Sequence, residues 1–359
     1  MSAKRGRKRT EPNAGVGLAD IARVCSLSKM TVSRALRNSD AVSPETRRKV
    51  QEAARQMGYV PNRLAVSFSR QESKLVGMVI PEMDLVFFPL AVMSVESSLN
   101  TKGYLLSLCS SNHQPGKEYR EVRALLERRV DGIIIVPESS TQSVEALSTI
   151  QATGCPLVLL DRMVPGVEAD TVTTDDFEGA FAAVTHLIEQ GYTNIAHIAG
   201  SENVWTAEER LRGYKAALTA AGMEVRPDNI VRVRSSNVVQ VDRLSTAGKE
   251  ATEYLLSLSE RPDAIFCTAD PIAVGAYLAL RNHSIEIPKD MGLVGFADIL
   301  EAERLPVPLT TVAQDIHDLG RQAAKLLLDR MAGKSPDRPV HYVSKTRLVV
   351  RQSSIRGSR

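Results

Sequence analysis

Two rhythms of apolar residues divide this chain. Through the first sixty residues they recur three and four positions apart, the spacing of a helix with one buried stripe. The segment GLADIARVC predicts a helix with Leu18, Ile21 and Ala22 on one face, and SLS after it is too short to be a linker. In SKMTVSRALRNSD, Ser28 is placed to cap a second helix whose stripe is Val32, Ala35 and Leu36. SPETRRKVQEAARQMGYVP predicts a third helix, capped by Ser43 with Pro44 in its first turn. Its stripe is Val50, Ala53, Ala54 and Met57, and Gly58 follows its end. Three short helices, the first two joined by a tight turn, make a helix-turn-helix unit.

From residue 74 the rhythm changes to unbroken apolar runs separated by helical stretches: KLVGMVIP, YLLSLCS, DGIIIVP and PLVLLD, then NIAHIAG, NIVRVR, DAIFCTAD and GLVGFAD. Continuous apolar strands alternating with helices predict parallel sheets covered on both faces. Two sets of four to six strands fit two doubly wound lobes with a cleft between them. Ligands of such sheets collect at the carboxyl ends of strands. Residues at those ends form a candidate pocket: Phe87 and Phe88 after the first run, Asp161 and Arg162 after the fourth, Trp205 and Arg210 after NIAHIAG, Asp270 after IFCTA, and Asp298 after VGFA. Aromatic rings that stack and charged groups that fork onto hydroxyls or carboxylates suit a small polar ligand. Phe87 and Phe88 fit lobe-core packing equally well, and Trp205 fits a surface loop.

Charge separates the same two regions. Residues 1–73 hold 15 Lys and Arg against 6 Asp and Glu, a net +9, whereas the rest of the chain is −6. A basic module on a mildly acidic body points to a polyanionic partner. Lys4 to Arg9 could be a solvated tail, but the other basic residues of this region fall largely within patterned helices. In a helix-turn-helix the second helix enters the major groove with its first turns against base edges. Lys29, Met30 and Arg34 are then the base readers. Arg34 can fork onto guanine O6 and N7, Lys29 can donate to the same acceptors, and Met30 can meet a thymine methyl. Ser28, Thr31 and Ser33 suit phosphate oxygens.

Little else in the composition suggests chemistry. The four cysteines, Cys25, Cys109, Cys155 and Cys267, include no CxxC pair, which predicts reduced thiols and neither a zinc site nor a disulfide framework. No metal and no cofactor is expected. There is no GxSxG, HExxH or P-loop, the six histidines are scattered, and GVGLAD is an incomplete glycine motif inside the helical head, so an enzyme is disfavoured. No apolar run reaches the length of a membrane span, and the basic start MSAKRGRKRT lacks a following apolar segment, which predicts a cytoplasmic protein. A solute-binding protein would fit the lobes alone and not the basic head.

The stretch LADIARVCSLSKMTVSRALRNSDAVSPETRRKVQEAARQMGYVPNRLA resembles the DNA-binding head of the LacI/GalR family of bacterial transcription regulators. The likeness continues through LLERRVDGIIIVP, TAEERLRGYKAAL and LTTVAQDIHDLGRQAAKLLLDRM, leaving out only residues 1–16 and the last few. It implies a periplasmic-binding-protein-like body, and a hinge helix at NRLAVSFSR that folds on the operator. There Phe68, with Leu64 one turn before it, would wedge the minor groove, and Asn62 and Arg63 would make polar contacts; alternatively Phe68 packs back on the body. Arg210, in TAEERLRGY, matches the family's inducer-clamping arginine. The expected organisation is a basic tail at 1–16, the head at 17–61, a hinge at 62–73 and the body at 74–359. Within the body, the N-lobe takes about 74–172 and 313–340, and the C-lobe about 173–312 and 341–355.

Departures from the family pattern fall in two places. Gly17 and Ser26 replace the usual cap and turn residues of the head, both tolerably. In the pocket, Ala269 precedes Asp270, Ala297 precedes Asp298, and Leu85-Val86 stands before the aromatics, where the family usually has polar groups or Asn-Pro. A plain sugar is thereby less expected. A less hydroxylated ligand, a sugar acid held by Arg210 and Arg162, or an aromatic ring held by the phenylalanines all remain open. The functional expectation is a repressor that binds near-palindromic operator DNA as a homodimer or higher oligomer, controlled by a small-molecule effector between the lobes.

Overall fold

A computed structural model of the chain describes residues 16–60, 72–138, 143–233 and 243–356. The hinge residues Asn62, Arg63, Leu64 and Phe68 and the basic tail lie outside the described residues. The chain divides into two compact units, one within residues 1–73 and one spanning 74–359.

The head has the three helices its apolar rhythm predicts: α1 Leu18–Cys25, α2 Lys29–Leu36 and α3 Pro44–Gln56. Its small core is Ile21, Ala22, Cys25, Val32, Ala35, Val42, Val50 and Ala54, with Leu18, Leu36, Ala53 and Met57 packed against it. Each cap has a physical reason. Ser28 Oγ accepts from the Thr31 N–H at 3.1 Å, and Ser43 Oγ does the same for Thr46 at 3.3 Å. Gly17 has no side chain to cap with, so Asp20 reaches back to accept from the Gly17 N–H at 3.0 Å. Ser26 takes φ 57°, the left-handed conformation that favours glycine, and accepts that modest strain to end α1. Lys49 Nζ donates to the Cys25 carbonyl at 3.3 Å, tying α3 to the end of α1.

The body contains two six-stranded sheets. The first is built from β1 Leu75–Ile80, β2 Leu105–Ser110, β3 Gly132–Ile135, β4 Leu157–Leu160, β5 Asp170–Thr174 and β11 His341–Ser344, in the order β11-β5-β4-β3-β1-β2. Helices α4 Phe87–Asn100 and α12 Ile316–Met331 cover one face; α5 Pro115–Glu127 and α6 Val144–Ala152 cover the other. The second is built from β6 Ile195–Ala199, β7 Ile230–Arg232, β8 Ala264–Cys267, β9 Gly292–Ala297, β10 Thr310–Ala313 and β12 Arg347–Val349, in the order β12-β10-β9-β8-β6-β7. It lies between α7 Asp176–Glu189 with α8 Trp205–Ala220 and α9 Arg243–Ser257 with α10 Asp270–Asn282; the short α11 Leu300–Arg304 adds to the second group. Burial on both faces is why the runs of the inner strands read as continuously apolar. Among the described residues no helix is long and apolar enough to cross a membrane.

Two expectations need correction. His341–Ser344 belongs to the first sheet and not to the C-lobe: it pairs in parallel with β5, His341 opposite Thr171 and Ser344 opposite Thr174. The chain therefore crosses for the third time at residues 345–346. The sheets are also not uniformly parallel, because β12 runs antiparallel to β10 at one edge. Both strands are short, half-polar edge segments, so no apolar run announces them.

Helices α9 and α10 approach so closely that glycine is required on both. A Cβ on Gly275 would lie 1.8 Å from the Ser245 carbonyl oxygen, and one on Gly248 would lie 2.1 Å from that of Ile272. Gly275→Ala is expected to force the helices apart and lower stability by about 1–3 kcal/mol, read as a fall in thermal midpoint. An unchanged midpoint would contradict the packing.

Candidate DNA-reading face and effector cleft

On α2 the buried stripe leaves the opposite face free. Lys29, Met30 and Arg34 are exposed, Met30 by 63%, with Ser28 exposed and Thr31 and Ser33 half-buried beside them. Neither Lys29 nor Arg34 has an ion-pair or hydrogen-bond partner among the described residues. Both cations are thus available to a ligand. Neighbouring basic residues are already engaged: Arg37 donates to the Ser33 carbonyl, and Arg47 donates to the Ser39 and Val42 carbonyls at 3.0 and 3.3 Å. An exposed methionine between two free cations costs solvation unless another surface covers it.

Both sheets of the body repeat one strand order, so each has a switch point, between β1 and β3 in the first and between β6 and β8 in the second. Loops diverge there and leave a crevice at the strands' carboxyl ends. In the first sheet the crevice holds Glu82 after β1, Ser111 and His113 after β2, Glu138 after β3, and Asp161 and Arg162 after β4. Arg162 donates to the carbonyls of Pro137 and Glu138 at 2.9 and 3.2 Å and lies 3.4 Å from the Asp161 carboxylate. In the second sheet Arg210 spans the crevice. Its Nε and one terminal nitrogen lie 2.8 and 2.7 Å from Asp176 Oδ1, and the other terminal nitrogen donates to the Thr268 carbonyl at 2.6 Å. The guanidinium stacks 3.7 Å above the Phe296 ring and keeps one N–H on each terminal nitrogen for a ligand.

The two crevices sense each other. Burial pushes Asp161 up to about 6; Arg162 and Arg210 oppose the shift, and the Asp176 carboxylate adds to it. Asp161 thus lies within electrostatic reach of both Arg162 and Arg210. The remaining predicted residues are not all there. Phe87 and Phe88 form an edge-to-face pair 5.3 Å apart and are buried in the N-lobe core, with Arg162 5.9 Å above the Phe88 ring. Asp270 is fully buried and occupied, accepting from Thr311 Oγ1 at 2.6 Å and the Ile299 N–H at 2.9 Å. Asp298 pairs with Arg351 at 2.7 Å. Trp205 is half-buried at the start of α8.

Residues missed from the sequence include Glu82, Ser111, His113, Glu138, Asp176 and Arg243. The first four sit at strand carboxyl ends, so the rule used for the aromatics would have found them; Asp176 and Arg243 lie at helix starts and carry no such signal. A further cavity of about 470 Å³ lies beside the crossovers, lined by Leu90, Asp298, Gln314, His317, Lys345 and Arg347 among others. Of the eight predicted pocket residues only Asp298 lines it. Among the described residues no His, Cys, Asp and Glu side chains cluster as a metal site requires.

Residues 17–62 match the family described as bacterial regulatory proteins, lacI family, and residues 184–354 match the periplasmic binding protein-like domain. Over 341 residues the chain is 33% identical to the HTH-type transcriptional repressor CytR of Escherichia coli (strain K12), covering 95% of each chain. The chain belongs to the lacI family. It is also 31% identical to the HTH-type transcriptional repressor PurR of Actinobacillus pleuropneumoniae serotype 3 (strain JL03), across 94% of this chain and 97% of that one. Among solved structures, the transcriptional regulator CelR in complex with cellobiose is 30% identical and superposes with a TM-score of 0.69 over 94% of this chain and 99% of that one. The lac repressor dimer bound to operator and the anti-inducer ONPF reaches 0.84 at 24% identity, over 95% and 99%, which is a likeness of fold. This lacI-family chain is a DNA-binding transcription regulator with an effector-binding body.

Burial also pushes Asp270 up to about 6, against the bonds from Thr311 and Ile299. The folded state then retains a proton that the unfolded chain releases near pH 4. Its contribution is present below that pH and is lost as pH rises through about 6. Asp270→Asn is expected to flatten this part of the stability profile between about pH 4 and 6 in calorimetric scans; an unaltered slope would assign the effect elsewhere.

Proposed function

We propose that this chain is a repressor that binds a near-palindromic operator as a homodimer in the cytoplasm, and that a small-molecule effector in the cleft between the lobes controls it. The observation that carries the reading is the α2 face, where Lys29, Met30 and Arg34 stand exposed with no ion pair within the head. Lys29 and Arg34 read base edges, Met30 meets a thymine methyl, and Ser28, Thr31 and Ser33 hold phosphates. Asn62 and Arg63 make the polar contacts of a hinge, and Phe68 with Leu64 wedges the minor groove.

One head contacts few bases, so affinity and register favour two. The body offers a surface for pairing: Leu105 and Leu108 on the outer strand β2 and Met93 on α4 are exposed by 54, 38 and 62%. An apolar edge strand of this kind calls for a cover. CytR and PurR are named as repressors and CelR is named with cellobiose, which supports repression and a small polar effector. Arg210 and Arg162 face the cleft, but most of their donors serve Asp176 and backbone carbonyls. A sugar acid would have only the remaining N–H groups, and a neutral polar metabolite fits them as well.

Selection of duplexes from a random pool by the full-length protein tests the reading, and recovery of no shared half-site in inverted repeat would refute it. On the selected site Arg34→Ala is expected to cost about 1–3 kcal/mol and relax preference at one base of each half-site; an equal loss on all sequences would make Arg34 a phosphate contact. Phe68→Ala is expected to reduce bending of that site while leaving its half-site preference intact. Undiminished bending, measured by circular-permutation electrophoresis, would remove the wedge. The effector is sought as the compound that raises the thermal midpoint in a panel of sugars, sugar acids, nucleosides and aromatic acids.

A further inference from the structure

At the cleft the C-lobe reaches into the N-lobe with a cation. Arg243, the first residue of α9, pairs with Glu82 and lies 2.8 Å from His113 Nε2. His113 Nε2 is in turn 3.2 Å from the other oxygen of Glu82, and its Nδ1 is 3.2 Å from Glu138. Ser111 donates to Glu138, and the Glu138 N–H donates to Glu118 at 2.9 Å. Arg243, Glu82, His113 and Glu138 each have less than 15% of the side chain exposed. Three strand-end loops of the N-lobe and the start of α9 in the C-lobe are thus joined by charge in a partly water-excluded place, where pairing is stronger than on an open surface.

We infer that Arg243, Glu82, His113 and Glu138 form a latch that holds the lobes closed without effector, and that protonation of His113 loosens it. This rests on reading the cleft as the moving part of a regulator. Hinge-type closure requires that some contacts exist in one lobe arrangement and are lost in the other. Arg243 supplies such contacts, because Glu82 and His113 belong to the opposite lobe's strand ends.

The titration follows from what faces His113: Glu82 after β1, Glu138 after β3, Arg243 from α9, with Arg162 and Glu118 behind the carboxylates. Burial disfavours the imidazolium, but the bonds to Glu138 and Glu82 outweigh it and leave His113 above its ordinary value. The contact with Arg243 works the other way, since a guanidinium N–H can donate to Nε2 only while that nitrogen carries a lone pair. Closing the lobes therefore favours the neutral ring and opening favours the protonated one. Lowering the pH through the histidine range shifts the balance toward open lobes. Burial holds Glu118 at about 7, so it titrates nearby, but Ser143, Glu138 and Arg162, which act on it, all belong to the N-lobe.

The test is an interlobe distance, measured by pulsed electron spin resonance on the full chain without DNA or effector. Spin labels replace the exposed Lys102 in the N-lobe and Arg281 in the C-lobe, with Cys109 and Cys155 changed to serine and labelled chains diluted in unlabelled ones. Wild type at about pH 8 is expected to give one short distance, moving to longer values at about pH 5.5. Arg243→Met is expected to be long at both, and Glu82→Gln, which keeps the shape, should match it in direction. Distances in Arg243→Met and Glu82→Gln that superpose on wild type overturn the latch. A His113→Gln chain that retains the pH response overturns His113 as the titrating group. Neither outcome depends on DNA recognition, so failure here is separable from failure of the regulator reading.

Discussion

The chain passes between the two sheets three times, and the second and third passages are both hydrogen-bonded to the first at Thr174 and Asp175. The Asp175 N–H donates to the Ser344 carbonyl at 3.0 Å, Thr346 Oγ1 donates to the Asp175 carbonyl at 3.2 Å, and Gln314 Nε2 donates to Thr174 Oγ1 at 3.0 Å. Lobes joined at one knot can change their angle, but they cannot separate. The cleft depends on this. Thr174 passes the connection onward to Asp176 at 2.9 Å, and Asp176 holds Arg210, so Arg210 is two side chains from the crossovers. A ligand that changes how Arg210 sits therefore acts on the hinge through polar contacts that are already formed. The Arg243 cluster lies at the opposite end of that lever, where a small rotation makes or breaks a contact.

The head obeys a different constraint. Its core is eight small or medium apolar side chains, too little to demand much precision, and its specificity is carried by what the core leaves outside. The net +9 of residues 1–73 sets general attraction to a polyanion, whereas Lys29 and Arg34 have no ion pair among the described residues and stay open to a ligand. Arg47 and Lys49 show the contrast, since their charges are absorbed by carbonyls of the helical unit. One basic composition thus contains both engaged and exposed cations.

The strand runs and helix caps were legible because each follows from local chemistry. Ser28 and Ser43 satisfy helix N–H groups a few residues away, and runs such as GIII or LVLL must be buried whatever surrounds them. The short edge strands β11 and β12 were not, since half-polar segments of three or four residues become strands only when a neighbour offers a ladder. In the pocket the aromatic pair misled. Phe87 and Phe88 follow a strand, as ligand-stacking rings would, yet they turn inward because α4 needs apolar anchors on the first sheet. Asp270 misled similarly: its carboxylate serves Thr311 and Ile299.

Alone, the sequence determined the division into head and body, the faces of the three head helices, the doubly wound α/β class and the membership that its motifs imply. All of these depend on spacing and composition read along the chain. Tertiary structure decided which charges are free and which are spent. Arg34 and Arg210 look alike in sequence, but one has no side-chain partner among the described residues and the other is held by Asp176 and Thr268, from segments 34 and 58 residues away. It also brought Arg243 to Glu82 across 161 residues. Pairing of charges over such distances is set by how the lobes pack, and no local pattern records it.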